Sequence, residues 1–422
     1  MLYIKVEDHN ELDLKVMKNS FFEALKKIGD KQNILLIPPD ITRYHGMGGV
    51  LTTWAVEYYK DKVKAILPAL GTHHPMSPNE LDYMFPNVDQ SLFIQHNWRD
   101  EVVKMGSVPS SFIEKVSEGK LSFEWEAEVN KLLLDPKFDL ILSLGQVVPH
   151  EVVGMANYTK NIFVGSGGSE GINKSHYLGA VYGMERLMGR IDSPVRAVLD
   201  YAQEHFASKL PIVYALTVVS QNKDGSTKAN GLFVGSNREV FEQASRLSQK
   251  VNITLVKEAL KRVVVYLDPT EYRSTWLGNK GIYRTRMALA DNAVLTLIAP
   301  GVSSFGEDKE IDRLIRKYGY KGTDTTIKAV ENSDELKNNL SAASHLIHGS
   351  SEGRFTIEYA TPHLTKEEIE QVGYNYRDFN EAEKRYIVNN VKEGFNVTED
   401  NEKYYFISNP ALGLWATENK FN

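Results

Sequence analysis

The 422-residue chain contains no cysteine. That single absence removes disulfides, thiolate nucleophiles and cysteine-ligated metals. Any metal has to be held by His, Asp or Glu, or by a cofactor that brings its own sulfur. Long apolar runs are missing as well, since no stretch approaches the ~18 uncharged residues that a membrane helix requires. The opening MLYIKVEDHNELDLKV alternates as a strand does, carries acids early and lacks the basic and apolar regions of a signal peptide. No basic block or basic helix appears and the formal net charge is -6. Neither nucleic acid nor an anionic membrane is therefore an expected partner. Internal repeats and low-complexity tracts are absent too. What these absences leave is the expectation of a soluble, cytoplasmic protein.

Hydrophobic residues make up 42% of the chain and charged residues 25%, an ordinary globular balance. The length exceeds what one core usually supports, so two domains are expected. NILLIPPD (33–40), VKAILPALGTHHP (63–75), FDLILSLGQVVPH (138–150), LPIVYALTVVS (210–220) and KRVVVYL (261–267) read as strands that are apolar throughout. GVLTTWAVEYYKDK (49–62) reads as a helix between two of them. Such strands separated by helices predict an α/β fold, as two α/β domains with mostly parallel sheets and an active site in the cleft between them. The N-terminal domain is placed at 1–265, and DPTEYRSTWLGNKG follows as a boundary. A smaller C-terminal domain occupies 280–390 and includes an amphipathic helix at 310–319. The tail, 391–422, contains YYFISNPALGLW and is expected to pack back on the N-terminal domain.

Three of the strands end in polar clusters, and in parallel sheets ligands bind beyond the carboxyl ends of the strands. PPDITR supplies Asp40, Thr42 and Arg43. Taken alone, such an Asp caps a helix and such an Arg is solvated. In a site, the Arg offers a planar fork of donors to phosphate or carboxylate. GTHHP supplies His73 and His74, and adjacent side chains on extended backbone point opposite ways, so at most one faces a given site atom. Residues 149–180 hold His150, Lys160 and His176 among glycines. The run GSGGSEG suits a flexible loop or a phosphate cradle, but neither GxxxxGK[ST] nor GxGxxG is present. Individually, Lys160 reads as a surface charge and His176 as a capping or packing residue.

The joint spacing is more specific. Pro149-His150 is followed ten residues later by Lys160 and sixteen after that by His176. Upstream stand Asp40-Ile41-Thr42-Arg43 and Gly71-Thr72-His73-His74-Pro75, in that order. Together these motifs resemble the core of the nickel-pincer lactate racemases, tying residues 38–76 and 145–180 to that family. The resemblance implies a nickel-pincer nucleotide, a pyridinium-3-thioamide-5-thiocarboxylic acid mononucleotide that grips nickel through sulfur, carbon and sulfur. It implies covalent attachment at Lys160 and His176 as the protein's ligand to nickel. It further implies His73 and His150 as paired acid and base, with Asp40 and Arg43 holding the cofactor or the anionic substrate. The lack of cysteine is in keeping, because the cofactor brings the sulfur and imidazole is an ordinary nickel partner.

The chain departs from the lactate enzymes at several positions. They carry Arg after the GTH histidine, where this chain has His74, and Pro after D-x-T-R, where it has Tyr44-His45-Gly46. Their second domain offers a Tyr-Gln pair with a Lys three residues on. Here the corresponding residues are Tyr283-Arg284-Thr285-Arg286, with Arg286 the best match for the cation. The family's lid tryptophan has no counterpart in register, Trp276 being the nearest. His45, His74, Arg284 and Arg286 add donors suited to a larger, polar hydroxyacid. In this the chain resembles the sugar-acid epimerases, which implies a D-gluconate/D-mannonate 2-epimerase whose partners are a small 2-hydroxyacid and, at most, a second copy of the chain as a homodimer. Three alternatives stand beside it. One is a racemase of lactate or another small 2-hydroxyacid. Another is a metal lyase or hydrolase built on His73, His150 and His176, which gives Lys160 no role and lacks HExxH. The third is a non-catalytic sugar-acid binding protein.

Overall fold

The structure, a computed structural model, describes residues 2–6, 11–222, 226–387, 391–411 and 413–421. The chain divides into two compact units, residues 1–175 with 187–252, and 176–186 with 253–422.

The first unit is built on β1 (Leu2–Val6), β2 (Ile34–Ile37), β3 (Val63–Ile66), β4 (Leu140–Gln146), β5 (Ile212–Gln221) and β6 (Thr227–Gly235), with helices α1 (Leu14–Ile28), α2 (Gly48–Tyr59), α3 (Ser169–Tyr182), α4 (Pro194–Phe206) and α5 (Arg238–Asn252). The division between the units falls inside α3. The strands form one sheet in the order β1-β6-β5-β4-β2-β3. β5, β4, β2 and β3 run parallel, and only β1 and β6 pair antiparallel to their neighbours. Every residue of β2 (ILLI) and of β4 (LILSLGQ) is buried, because both faces of a parallel sheet are covered. Met17, Phe21, Ala24 and Leu25 of α1 share one core with Leu36, Leu142 and Leu144. Each such buried Leu or Phe contributes roughly 1.5–3 kcal/mol. α1 is set in place by Asp13, whose carboxylate accepts from Lys15 N and Val16 N, and it stops at Gly29 with φ 93°.

β3 is shorter than the expected 63–75. Beyond Ile66 the chain still runs beside β2, with Leu67 N donating to Leu36 O and Ala69 N to Pro38 O, both 2.8 Å. The glycine run corrects both sequence readings of it. A Cβ at Gly167 would lie 1.9 Å from Phe163 O, and one at Gly168 2.0 Å from Glu128 Oε2. These glycines are close-packing positions against the two-stranded ribbon of Val102–Val108 and Trp125–Asn130, neither a phosphate cradle nor a loose loop.

The second unit carries β7 (Leu260–Tyr266), β8 (Leu289–Ile298), β9 (Thr356–Ala360), β10 (Asn375–Tyr376), β11 (Gly394–Val397) and β12 (Lys403–Ile407). They form a sheet in the order β10-β9-β8-β7-β12-β11, parallel except between β11 and β12. Both units are thus α/β with mostly parallel sheets, as expected. The boundaries differ. The units separate at 252/253, not near 265, because Ile253–Val256 already pairs with Leu414–Thr417. The tail, expected on the N-terminal domain, belongs to the second unit, since β12 fills the place between β7 and β11. Its YYFI stretch is buried at all four positions, which only an interior strand achieves. Among the described residues no helix is long and apolar enough to cross a membrane.

Candidate active site

β3, β2 and β4 are neighbours in the first sheet, so the loops that follow their carboxyl ends lie side by side. The loop after β2 turns at Asp40, which caps a 3-10 turn over Ile41–Gly46. Its Oδ1 accepts from Thr42 N at 3.1 Å and from Thr42 Oγ1 at 2.6 Å. The other oxygen, Oδ2, lies 2.5 Å from His73 Nδ1, on the loop after β3. Asp40 is 3% exposed, whereas half of the His73 side chain is open to solvent. Burial pushes the Asp40 carboxyl up, but His73, Thr42 and Arg43 together outweigh it and hold it below the ordinary carboxylate value. An ionised carboxylate only accepts, so the network assigns the ring proton to Nδ1 and leaves Nε2 of neutral His73 with its lone pair. Asp40 thereby orients His73.

His150 lies in a short hairpin, Pro149–His150 against Gly154–Met155, directly after β4. It is 4% exposed. The Val152 N–H donates to its Nδ1 at 3.1 Å, and Glu151 Oε2 is 3.9 Å from the same nitrogen. A nitrogen that accepts an N–H carries no proton, so neutral His150 has its hydrogen on Nε2. The two histidines are therefore held in opposite tautomers.

Lys160 is presented by a constrained segment. Asn157 and Tyr158 adopt φ 67° and 59°, a left-handed pair that costs about 1–2 kcal/mol per residue for side chains other than glycine. Arg196 of α4, 0% exposed, holds them there. Its guanidinium donates to Met155 O at 2.8 Å, to Asn157 O at 3.1 Å and to Thr159 Oγ1 at 2.6 Å. Thr159 passes its own hydrogen to Asp200 at 2.8 Å. Hydrogen bonds to a charged donor are worth about 1.5–3 kcal/mol each, so three of them outweigh the backbone strain. After Lys160 comes a π-turn, Asn161–Gly165, tied to the sheet by Asn161 Nδ2 at 2.9 Å from Ser143 Oγ and 3.2 Å from Ile37 O. Lys160 is only partly accessible. Burial, with Arg43 second, pushes its ammonium down to about 8.

Of the remaining first-unit candidates, Arg43 and His45 lie on the loop after β2 and His74 on the loop after β3. Arg43 is half-buried, while His45 and His74 are exposed. His45 sits edge-on to Tyr44 at 5.5 Å, and Tyr44 stacks on Tyr83 at 4.5 Å. Gln146, at the end of β4, is 7% exposed and its Nε2 has no hydrogen-bond partner. Gly46 lies against it, since a Cβ there would stand 2.4 Å from Gln146 Oε1. A buried amide left unsatisfied costs about 1–3 kcal/mol. Gln146, Tyr83 and Arg196 were missed by sequence reasoning. Gln146 had a signal, being the one polar residue between an apolar run and the VVPH segment. Tyr83 and Arg196 had none.

In the second unit, His176 stands midway along α3 and is partly exposed. Arg284 and Arg286 are buried. Arg286 Nε pairs with Glu185 at 3.0 Å and its Nη1 donates to Ser350 O at 3.2 Å. Arg284 Nη1 reaches Gly413 O at 3.5 Å. Both side chains make these contacts within their own unit. Among the described residues no group of three or more His, Asp or Glu side chains is arranged to hold a metal ion.

Residues 10–187 match the sequence pattern of the family described as lactate racemase N-terminal domain. No curated protein matches the sequence. Among solved structures, a protein from Thermotoga maritima superposes with a TM-score of 0.81 at 21% identity, over 98% of this chain and 100% of that one. The lactate racemase apoprotein from Thermoanaerobacterium thermosaccharolyticum superposes with a TM-score of 0.69 at 17% identity, over 93% of this chain and 88% of the other. These likenesses establish the fold.

Proposed function

We propose that this chain racemises or epimerises a 2-hydroxyacid at C2, with D-gluconate or D-mannonate as the substrate. The observation that carries the reading is the pair of histidines in opposite tautomers, one set by Asp40 and the other by Val152 N–H. Both lie within the segment that matches the lactate racemase N-terminal domain. Inversion at C2 needs proton exchange at the hydroxyl oxygen from either side, and two imidazoles suit that task near neutral pH.

The residues fit a nickel-pincer nucleotide. Among the described residues Lys160 makes no hydrogen bond or ion pair and Gln146 Nε2 is buried without a partner. Lys160 would tether the group and His176 would supply the one protein ligand, sulfur and carbon coming from the cofactor. When bound, it supplies a hydride acceptor, the step that protein side chains cannot perform. Hydride removal is the appropriate chemistry because the adjacent carboxylate makes the C2 hydrogen a poor proton to remove.

The chain's own part follows from its geometry. Arg43 offers a fork to the substrate carboxylate. His73 Nε2 takes the proton of the 2-hydroxyl, and Asp40 stabilises the imidazolium that results. His150 presents its Nε2–H to the oxygen from its own side and returns a proton on inversion. His45, His74 and the Tyr44–Tyr83 pair extend the site with polar and aromatic surface beyond what a methyl group needs, which favours the sugar acid over lactate. A panel of 2-hydroxyacids given to the cofactor-loaded enzyme tests the substrate. Gluconate or mannonate should exceed lactate in kcat/KM by about a hundredfold, the worth of two unpaired hydroxyl contacts. Equal turnover of lactate overturns the sugar-acid assignment and returns the smaller substrate.

A further inference from the structure

Lys160 has the setting of a reactive amine. The left-handed pair at 157–158 and the Arg196 clamp fix its backbone, and the π-turn behind it is pinned to β2 and β4. Among the described residues neither its amine nor the Arg43 guanidinium takes part in a side-chain hydrogen bond or an ion pair. Arg43, Asp40 and Glu151 all lie within electrostatic range of it, and Asp40 carries His73. An enclosed amine within electrostatic range of a guanidinium, and of the carboxylate that carries an acid–base group, matches the needs of carbonyl condensation.

We propose that in the cofactor-free chain Lys160 condenses with the carbonyl of a 2-oxo acid whose carboxylate is held by Arg43. The Nζ lone pair adds to C2, and a proton passes from nitrogen to the carbonyl oxygen to give a carbinolamine. Protonation of that hydroxyl and loss of water leave the C=N bond, so amine and 2-oxo acid yield imine and water with no change of oxidation state. His73, through its Nε2, is the group that relays the proton. The lowered pKa of Lys160 supports the geometry, because more free amine is available at neutral pH than on a solvated lysine. A chain whose Lys160 nitrogen carries the cofactor has no amine to offer. Loading thereby spares any 2-oxo acid formed in turnover from capture. The proposal does not depend on the racemase reading.

The test uses chain made in a host without the cofactor pathway, incubated with pyruvate and sodium borohydride, which reduces an imine to a stable secondary amine. Peptide mass mapping should find label at Lys160 at least about tenfold above Lys174 or Lys228, a discounted fraction of the free-amine advantage. Lys160→Arg should lose that label and keep the fold. Arg43→Gln should cut labelling by pyruvate severalfold and leave labelling by acetone, which has no carboxylate, unchanged. Label spread evenly over the lysines, or absent from Lys160 in the unmutated chain, overturns the proposal whatever the variants do. Equal loss with both carbonyls overturns the role of Arg43. Neither labelling result decides whether the loaded enzyme is a racemase.

Discussion

Asp40 Oδ2 sits 2.5 Å from His73 Nδ1, with the carboxylate buried and the imidazole half exposed. The buried partner is anchored by Thr42 on its other oxygen, so the carboxylate cannot swing away. The exposed partner is therefore aimed through Nε2. This is the geometry of a positioned general base, and it is absent at His150, where a backbone N–H occupies Nδ1 instead.

Asp40→Asn keeps the shape and removes the charge. Turnover should fall about 10- to 100-fold, within the range of a general base that loses its orienting partner. Nitrogen-15 spectra of the cofactor-free chain should show His73 with its hydrogen on Nδ1 and His150 with its hydrogen on Nε2, and the variant should perturb His73 alone. A His73 ring already protonated on Nε2 in the unmutated chain contradicts the assignment.

Lys160 gives a pH signature. Its ammonium titrates at about 8 in the folded chain against an ordinary 10.5. Between those values the unfolded chain binds more protons at this site, so folding stability rises with pH there. Below the folded value the penalty of burying the charge is present in full. Lys160→Met should therefore stabilise the cofactor-free chain at neutral pH, by on the order of 1–3 kcal/mol after allowance for partial exposure. That gain should shrink above pH 8 and be gone beyond 10.5. Denaturant unfolding across this range checks it, and a gain independent of pH speaks against it.

Arg196 bears on Lys160 through three hydrogen bonds and no contact with the reacting atoms. Arg196→Met leaves Met155 O and Asn157 O without their donor in a buried place, at about 2–4 kcal/mol. Cofactor attachment at Lys160, followed by intact-protein mass, should slow as well. Arg196→Lys keeps the charge without the fork and should recover less than half of either loss. Normal attachment in a destabilised Arg196→Met chain would show the clamp to be merely structural.

Much of the fold was legible because parallel strands announce themselves. ILLI and LILSLGQ are buried at every position, so they read as apolar runs broken only by Ser143 and the terminal Gln146. The tail was not legible, because YYFI says only that it is buried and not in which sheet. The candidate residues Asp40, His73, His150 and Lys160 stand out by their spacing in sequence, but their relations do not. Asp40 reads from sequence as a ligand-holding group, and only the fold brings it onto His73, 33 residues away. Arg284 and Arg286 read from sequence as substrate cations, and their contacts with Glu185 and with the backbone around 348–350 and 413 come only from the fold. Arg196 acts through the backbone it touches, which leaves little trace in residue type.

The account stands or falls on hydride transfer at C2. The decisive measurement gives cofactor-loaded enzyme a C2-deuterated gluconate or mannonate in ordinary water and follows the epimer by mass and NMR. Carriage of the hydrogen as hydride predicts inversion with deuterium retained at C2. Washout of deuterium at each inversion would mean that the hydrogen leaves as a proton through an enolate, and would contradict the mechanism proposed for this site.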